Sequence, residues 1–360
     1  MPKILFIASH RPNRSPSQRF RYEQYTGFLQ AHGFEFTSSP LISKKDDQWL
    51  YKPGNLVRKS FFLLKCYYLR WKDLKRIQEF DIIFIQREAF LTGSYYFERQ
   101  YKKSGARIVF DFDDAIWHLN MSEANRKLGW LKNPDKTAKI IGFSDLVIAG
   151  NRYLEQYALR FNTRVIRIPT TIDTLKFLPV PDKTDHQPLC IGWSGSLTTI
   201  RHFQDAIPFL KLLKEKYGNA ICFKVIGDVQ YSNQELSIQG IAWKAETEVE
   251  DLSGIDIGIM PLPDDEWAKG KCGLKGLSYM SLGIPTVMSP VGVNTEIIHD
   301  GVNGFLAGTT GEWVQKLSLL IESPTLRKNL GQAGRQTVED QYSVESQKNN
   351  YLQALRNLIN

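Results

Sequence analysis

Nowhere in the 360 residues do about 18 apolar residues run together, the length a helix needs to cross a bilayer. No spanning segment is expected. Cysteine is scarce, and the four present, Cys66, Cys190, Cys222 and Cys272, lie far apart with no C-x-x-C pair. Neither a disulfide framework nor a zinc site is suggested, and a reduced, cytoplasmic setting fits best. The opening MPKILFIASHRP carries too short an apolar run for a secretory leader, and no small-residue cleavage pattern follows it. Helix-turn-helix, RNP and zinc-finger patterns are absent, as are internal repeats and low-complexity tracts, so nucleic acid is not an expected partner.

What is there in excess is positive charge. Forty-six basic residues against 38 acidic ones leave +8, which points to anionic partners without naming them. An apolar fraction of 42% over this length suffices for two cores of ordinary size.

Strand candidates recur at Lys3 to Ala8, Ile82 to Ile85, Arg107 to Phe110, Leu146 to Ala149 and Val165 to Ile168, alternating with helical patterns. This is the signature of a doubly wound α/β domain, whose ligands bind beyond the carboxyl ends of the strands. After the first strand comes a polar, arginine-rich loop, His10 to Arg21. Arg19 and Arg21 are candidates there for gripping a diphosphate or an anionic acceptor, against the plainer reading of a solvated helix start capped by Ser15 or Ser17. Gln86-Arg87-Glu88 and Asp111-Phe112-Asp113-Asp114 follow two further strands. Arg87, Glu88, Asp113 and Asp114 are therefore candidates for acceptor binding or catalysis, and crowding of carboxylates would push one pKa upward. The alternative is an acidic strand end that caps a helix.

The segment Asn55 to Ile77 is a long helical candidate. Arg58, Lys65, Lys72 and Arg76 share one face, and Val57, Phe61, Leu64, Tyr68 and Trp71 form an adjoining apolar stripe. Basic residues interleaved with exposed aromatics suit an anionic membrane surface. The other reading packs the stripe on the sheet and leaves a wet basic edge.

Past the prolines 179, 181 and 188 and the polar run Asp182 to Gln187, a second domain opens with the strand Leu189 to Trp193 and the small-residue turn Ser194-Gly195-Ser196. Gly192 and these turn residues would let backbone N–H groups approach a phosphate. Gly227-Asp228 ends a further strand. Ile257 to Met260 and Thr286 to Met288 then read as strands around a helix, Gly273 to Leu282. At that helix's amino end Lys271, Gly273, Leu274 and Lys275 should hold an anion.

The tract Tyr279-Met280-Ser281-Leu282-Gly283-Ile284-Pro285-Thr286-Val287, with Gly292, Glu296, Gly301, Asn303 and Gly304, resembles the donor-binding core of the GT-B glycosyltransferases of family 4, or group 1. So does Ile168-Pro169-Thr170-Thr171-Ile172-Asp173 with Phe177. Gly270 and Ser278 stand where the family has two glutamates, and Trp193 and Thr198 where it has an arginine and a lysine. The resemblance implies two Rossmann-like domains facing across a cleft: an acceptor-side domain over 1–175 joined by a crossover helix over 343–360, and a donor domain over 186–342. It implies a retaining, metal-independent transfer of a sugar from a nucleotide-diphosphate sugar, such as a UDP- or GDP-sugar, to a saccharide or lipid-linked acceptor of the cell envelope. No cofactor and no metal are implied. The site would lie in the cytoplasm or on the inner face of the cell membrane. Gly227 and Asp228 would contact the base, Lys271 would stabilise the departing diphosphate, Ser278 would offer a hydroxyl to the ribose, and His118 would join Asp113 and Asp114 at the acceptor. A manganese-binding D-x-D at Asp111-Phe112-Asp113 in a single-domain transferase fails to explain a second nucleotide-type domain after residue 188. A non-catalytic scaffold that binds a nucleotide sugar is the remaining alternative.

Overall fold

The computed structural model describes residues 1–52, 54–118, 133–179, 187–196 and 199–359. Pro181, residues 182–186, Leu197 and Thr198 of the sequence reading lie outside them. The chain forms two compact units, Met1–Thr170 with Lys348–Asn360, and Thr171–Gln347.

The first unit is built on six parallel strands: β1 (Lys3–His10), β2 (Glu35–Ile42), β3 (Ile82–Gln86), β4 (Arg107–Phe112), β5 (Leu146–Ala149) and β6 (Val165–Arg167). Their order is β2-β1-β3-β4-β5-β6. The central strands are almost wholly apolar and buried, as strands covered on both faces must be. β2 was not expected: it is an edge strand of mixed polarity, EFTSSPLI, and tolerates Pro40 there. β4 runs two residues further than its apolar pattern, so Asp111 lies inside the sheet rather than past its end. The last helix, Val344–Ile359, seats Tyr351 on Tyr25 with ring centroids 4.6 Å apart, fully buried.

The helix Leu56–Lys75 overturns the packing reading of its apolar stripe. Val57, Phe61, Leu64, Tyr68 and Trp71 all face solvent, while the inward face carries Lys59, Phe62, Cys66, Arg70 and Asp73. Arg70 is the reason. Its guanidinium donates to the carbonyls of Ala8, Ser39 and Ala89, to the Ser39 hydroxyl and to Asp73. A buried charge with all three guanidinium nitrogens engaged binds this face to β1, β2 and the segment after β3.

The second unit holds β7 (Leu189–Ser194), β8 (Ile221–Ile226), a short antiparallel pair β9 (Ser232–Asn233) and β10 (Ile238–Gln239), then β11 (Ile257–Met260), β12 (Thr286–Met288) and β13 (Phe305–Leu306). The parallel sheet runs β13-β12-β11-β7-β8. One face is closed by Phe209, Leu210 and Leu213 and by Trp313, Leu317 and Leu320, with Phe209 and Trp313 stacked at 4.6 Å. Two doubly wound units of parallel sheet and helix agree with the expected fold class.

Candidate functional site

In the second unit the carboxyl ends of β7, β8 and β11 converge on the amino end of the helix Leu274–Ser281. Two close approaches fix this convergence. The Ser194 amide donates to the Tyr279 hydroxyl at 2.7 Å, tying the end of β7 to the helix. The Gly195 amide donates to the Ile226 carbonyl at 2.8 Å, and Gly227, at φ +133°, sits so close that a Cβ would run into the Gly195 carbonyl. Only glycine fits at Gly227. Ser196 stands before the helix Ile200–Gln204, its carbonyl accepting from Thr199 and Ile200 and its amide donating to the Thr199 hydroxyl at 2.9 Å.

Above this floor the cations gather. The Lys271 ammonium lies 3.4 Å from the Trp267 ring centroid, and the Arg201 guanidinium 4.7 Å from the same ring. The Lys275 ammonium is 5.3 Å from the Trp193 ring. His202 packs edge-on to Trp267 at 5.3 Å, is 2% exposed, and has no hydrogen-bond partner on either ring nitrogen among the described residues. Burial first, then Lys275, Lys271 and Arg201, hold its imidazole down to about 4, against the opposite pull of Asp265. Gly273, the N-cap of the helix at φ +69°, has no room for a side chain beside Ile297. The first-turn N–H groups of this helix have no intrahelical acceptor, so cations and a positive dipole end share one place. Charge and backbone polarity there carry the same positive sign.

Three donor-side residues behave differently from expectation. Gly192 lies inside β7, and its missing side chain makes room for Ile255 rather than for a ligand. Ser278 is buried and gives its hydroxyl hydrogen to the Leu274 carbonyl at 2.8 Å, which leaves it only as an acceptor. Asp228 shapes a turn, its carboxylate accepting from the Gln230 amide at 2.9 Å. Sequence reasoning passed over His202 and Trp267. Neither carries a motif, and only the fold puts both beside Lys271.

In the first unit the strand ends bring together His10, Arg87, Asp113 and Asp114. Arg87 is left-handed at φ +64°, a costly place for any residue with a Cβ, and its amide donates to the Asp111 carbonyl at 2.8 Å. Its guanidinium donates to Asp113 at 2.7 Å and approaches Asp114 at 3.7 Å. His10 lies 3.3 Å from the Tyr51 hydroxyl, and burial, reinforced by Arg14 and opposed by Asp47, lowers its pKa to about 4. His118 stands beside Trp117 at 5.4 Å, and its Nε2 has no partner among the described residues.

Arg21, by contrast, is a core residue. It is 2% exposed, clasps Asp111 through two nitrogens at 2.5 and 3.1 Å and donates to the Ile168 carbonyl, so it has no reach left for an acceptor. Arg19 is also buried, its guanidinium 4.9 Å from the Phe20 ring. Glu88 is taken by Lys136 at 2.9 Å. The carboxyl whose pKa rises is Asp111, and burial is the cause, ahead of any crowding by Asp113 and against the pull of Arg21. Both aspartates of the D-x-D pattern are thus held by arginines. Among the described residues no group of three or more His, Cys, Asp or Glu side chains could hold a metal ion.

No curated protein matches this sequence. Residues 189–323 match the family described as Glycosyl transferases group 1. Solved structures match over the whole chain. A glycosyltransferase from Rickettsia africae is 13% identical with a TM-score of 0.68, covering 99% of this chain and 98% of its own. A sucrose-phosphate synthase from Thermosynechococcus elongatus is 15% identical with a TM-score of 0.67 and 99% coverage of both chains. The fold is GT-B. Another GT-B relative, the Anabaena protein HepE in complex with UDP, is 15% identical with a TM-score of 0.62, covering 99% and 100%. The group 1 match spans β7 through β13, the part of the GT-B chain that carries Lys271, Lys275 and the Gly195–Gly227 contact.

Proposed function

We propose that the chain is a retaining glycosyltransferase that moves a sugar from a nucleotide-diphosphate sugar, such as a UDP- or GDP-sugar, to a saccharide or lipid-linked acceptor in cell-envelope polysaccharide synthesis. One observation carries the reading: Arg201, Lys271 and Lys275 gather at the amino end of the Leu274–Ser281 helix, within the segment that matches group 1 glycosyl transferases. When a glycosidic bond to a diphosphate breaks, negative charge grows on the leaving phosphate. Fixed ammonium groups and helix N–H groups stabilise that charge without reorganising. In this reading no metal is needed, and Ser194, Gly195, Ser196, Gly227 and Gly273 line the donor's path with backbone. Asp113, Asp114 and His118 orient the acceptor hydroxyl, and Arg87 positions the two carboxylates. The reaction takes place in the cytoplasm, at the inner face of the membrane when the acceptor is lipid-linked.

The test is donor turnover across a panel of UDP- and GDP-sugars with the parent and the Lys271→Ala and Asp114→Asn variants. Loss of an ammonium that meets phosphate should weaken diphosphate binding about tenfold or more. Unchanged turnover in both variants removes the assigned roles.

A second reading, a scaffold that binds a nucleotide sugar without turnover, is favoured by Gly270 and Ser278 at the two glutamate positions and by the Ser278 hydroxyl already donating within its own helix. Donor binding in calorimetry without turnover of any donor would establish it.

A further inference from the structure

The helix Leu56–Lys75 presents an outward face that a water-soluble surface does not need. Seven large apolar residues on it are exposed: Leu56, Val57, Phe61, Leu64, Tyr67, Tyr68 and Trp71, with Phe61 at 68% and Leu64 at 65%. Their spacing makes one continuous stripe from Leu56 to Trp71, about 24 Å of the twenty-residue helix. Isolated exposed apolar side chains are ordinary; a contiguous stripe of this size marks a binding surface.

Charge identifies what that surface meets. On the helical wheel Arg58, Lys65 and Lys72 recur every seventh residue along one edge of the stripe, and Lys75 closes its end over Trp71 at 3.8 Å. The helix holds one acid, Asp73, and it is buried against Arg70 and Arg76. The neighbouring helix Lys44–Leu50 meets this basic edge through Asp46 on Lys65 and Trp49 under Arg58, and it turns Lys44 and Lys45 to solvent. An apolar ridge with aromatic residues, rimmed by cations and free of exposed acid, complements an anionic lipid bilayer: the rings reach the acyl boundary while the ammonium groups stay with the headgroups. The opposite face, locked by the buried Arg70 network, keeps the helix on its sheet while the ridge inserts.

We propose that the outward face of the Leu56–Lys75 helix docks the chain on an anionic membrane surface, lying parallel to it. The surface stands on this helix alone and does not depend on sugar transfer, so each idea can fail without the other.

The experiment is sedimentation of the full chain with phosphatidylcholine vesicles, with and without phosphatidylglycerol, in the absence of donor. Vesicles containing phosphatidylglycerol should pellet the protein, neutral ones much less, and added salt should release it. Phe61→Asp with Leu64→Asp should reduce binding about tenfold or more, and Arg58→Glu with Lys72→Glu should cost about fivefold for each charge removed. Phe61 and Leu64 are exposed, so an unchanged thermal midpoint should accompany the loss in that double variant, whereas Arg58→Glu also gives up its contact with Trp49 and should lower the midpoint slightly. Absence of pelleting, or equal pelleting on neutral vesicles, overturns the proposal. So does concentration-dependent dimerisation that Phe61→Asp with Leu64→Asp abolishes while vesicle binding is absent, which would assign the face to a second copy. Calorimetry with UDP and GDP on the same variants reads the donor site separately.

Discussion

The hydroxyl of Tyr279 accepts the amide hydrogen of Ser194 across 85 residues of sequence, at 2.7 Å, with Tyr279 fully buried and Gly258 leaving room for its ring. One bond thus sets the end of β7 against the helix whose amino end carries Lys275. The bond is part-buried, so removing its acceptor leaves a partly desolvated donor unpaired.

Tyr279→Phe should therefore lower stability by about 1–2 kcal/mol and weaken nucleotide-diphosphate binding by more than that loss of stability alone predicts. Urea denaturation and calorimetry with UDP or GDP read the two effects. Wild-type affinity in a variant destabilised as expected would show that the turn after β7 takes no part in binding.

Gly227 supplies a second check on the same floor. Alanine there would have to sit at φ +133° with its methyl in the Gly195 carbonyl, so either β8 or the turn after β7 must move. Strain and overlap together should cost roughly 2–4 kcal/mol, seen as a lower thermal midpoint. Gly33→Ala, also at positive φ but with nothing near its missing Cβ, should cost less. Equal losses would mean that the Gly195 contact has no weight.

How much of this was legible beforehand depends on where partners lie. Ile82 to Ile85 and Ile257 to Met260 could be read directly, because a strand buried on both faces is apolar at every position. The gathering of Lys271 and Lys275 around Gly273 was legible, since a helix amino end is local chemistry. Other features depend on residues remote in sequence. Arg21 looked like a loop arginine free to grip phosphate, yet its partners Asp111 and Ile168 lie 90 and 147 residues away. The Leu56–Lys75 helix was harder still, since its pattern was read correctly while the direction of its stripe was left open. An apolar stripe turns inward unless something else claims the inner face, and here Arg70 does so through carbonyls of β1, β2 and the segment after β3.

His202 should make stability depend on pH. Its imidazole is neutral in the folded chain down to about 4, while in the unfolded chain it takes a proton near 6.5. Above 6.5 both states are neutral and its contribution is fully present; as pH falls from 6.5 toward 4 the unfolded state binds the proton and stability is lost. The loss is on the order of 2–3 kcal/mol across that window. His10 shifts in the same direction, so it leaves a residual slope. His202→Gln should flatten the profile between pH 7 and 4.5 in urea denaturation, and an unaltered profile would place the titration elsewhere. Diphosphate beside Lys271 and Lys275 would offset the part of the shift that those ammonium groups add to burial, so calorimetry in buffers of different ionisation enthalpy should show proton uptake near pH 5 that the variant lacks.

The reassignment of Arg21 from ligand grip to core ion pair is the most sharply testable. A pair buried at 2% and 0% exposure contributes little net stability while intact, since desolvation offsets its attraction. Breaking one half strands the other charge. Arg21→Met should cost about 3–5 kcal/mol, whereas Arg21→Met combined with Asp111→Leu should recover a large part of that loss. A ligand-binding arginine predicts the opposite pattern: a stable single variant that has lost acceptor affinity, with no rescue by the second change. Chemical denaturation of both single variants and the double variant forms a closed cycle. A coupling near zero would return Arg21 to the list of residues available to bind an anion, and would leave the depth of Asp111 in β4 without its counter-charge.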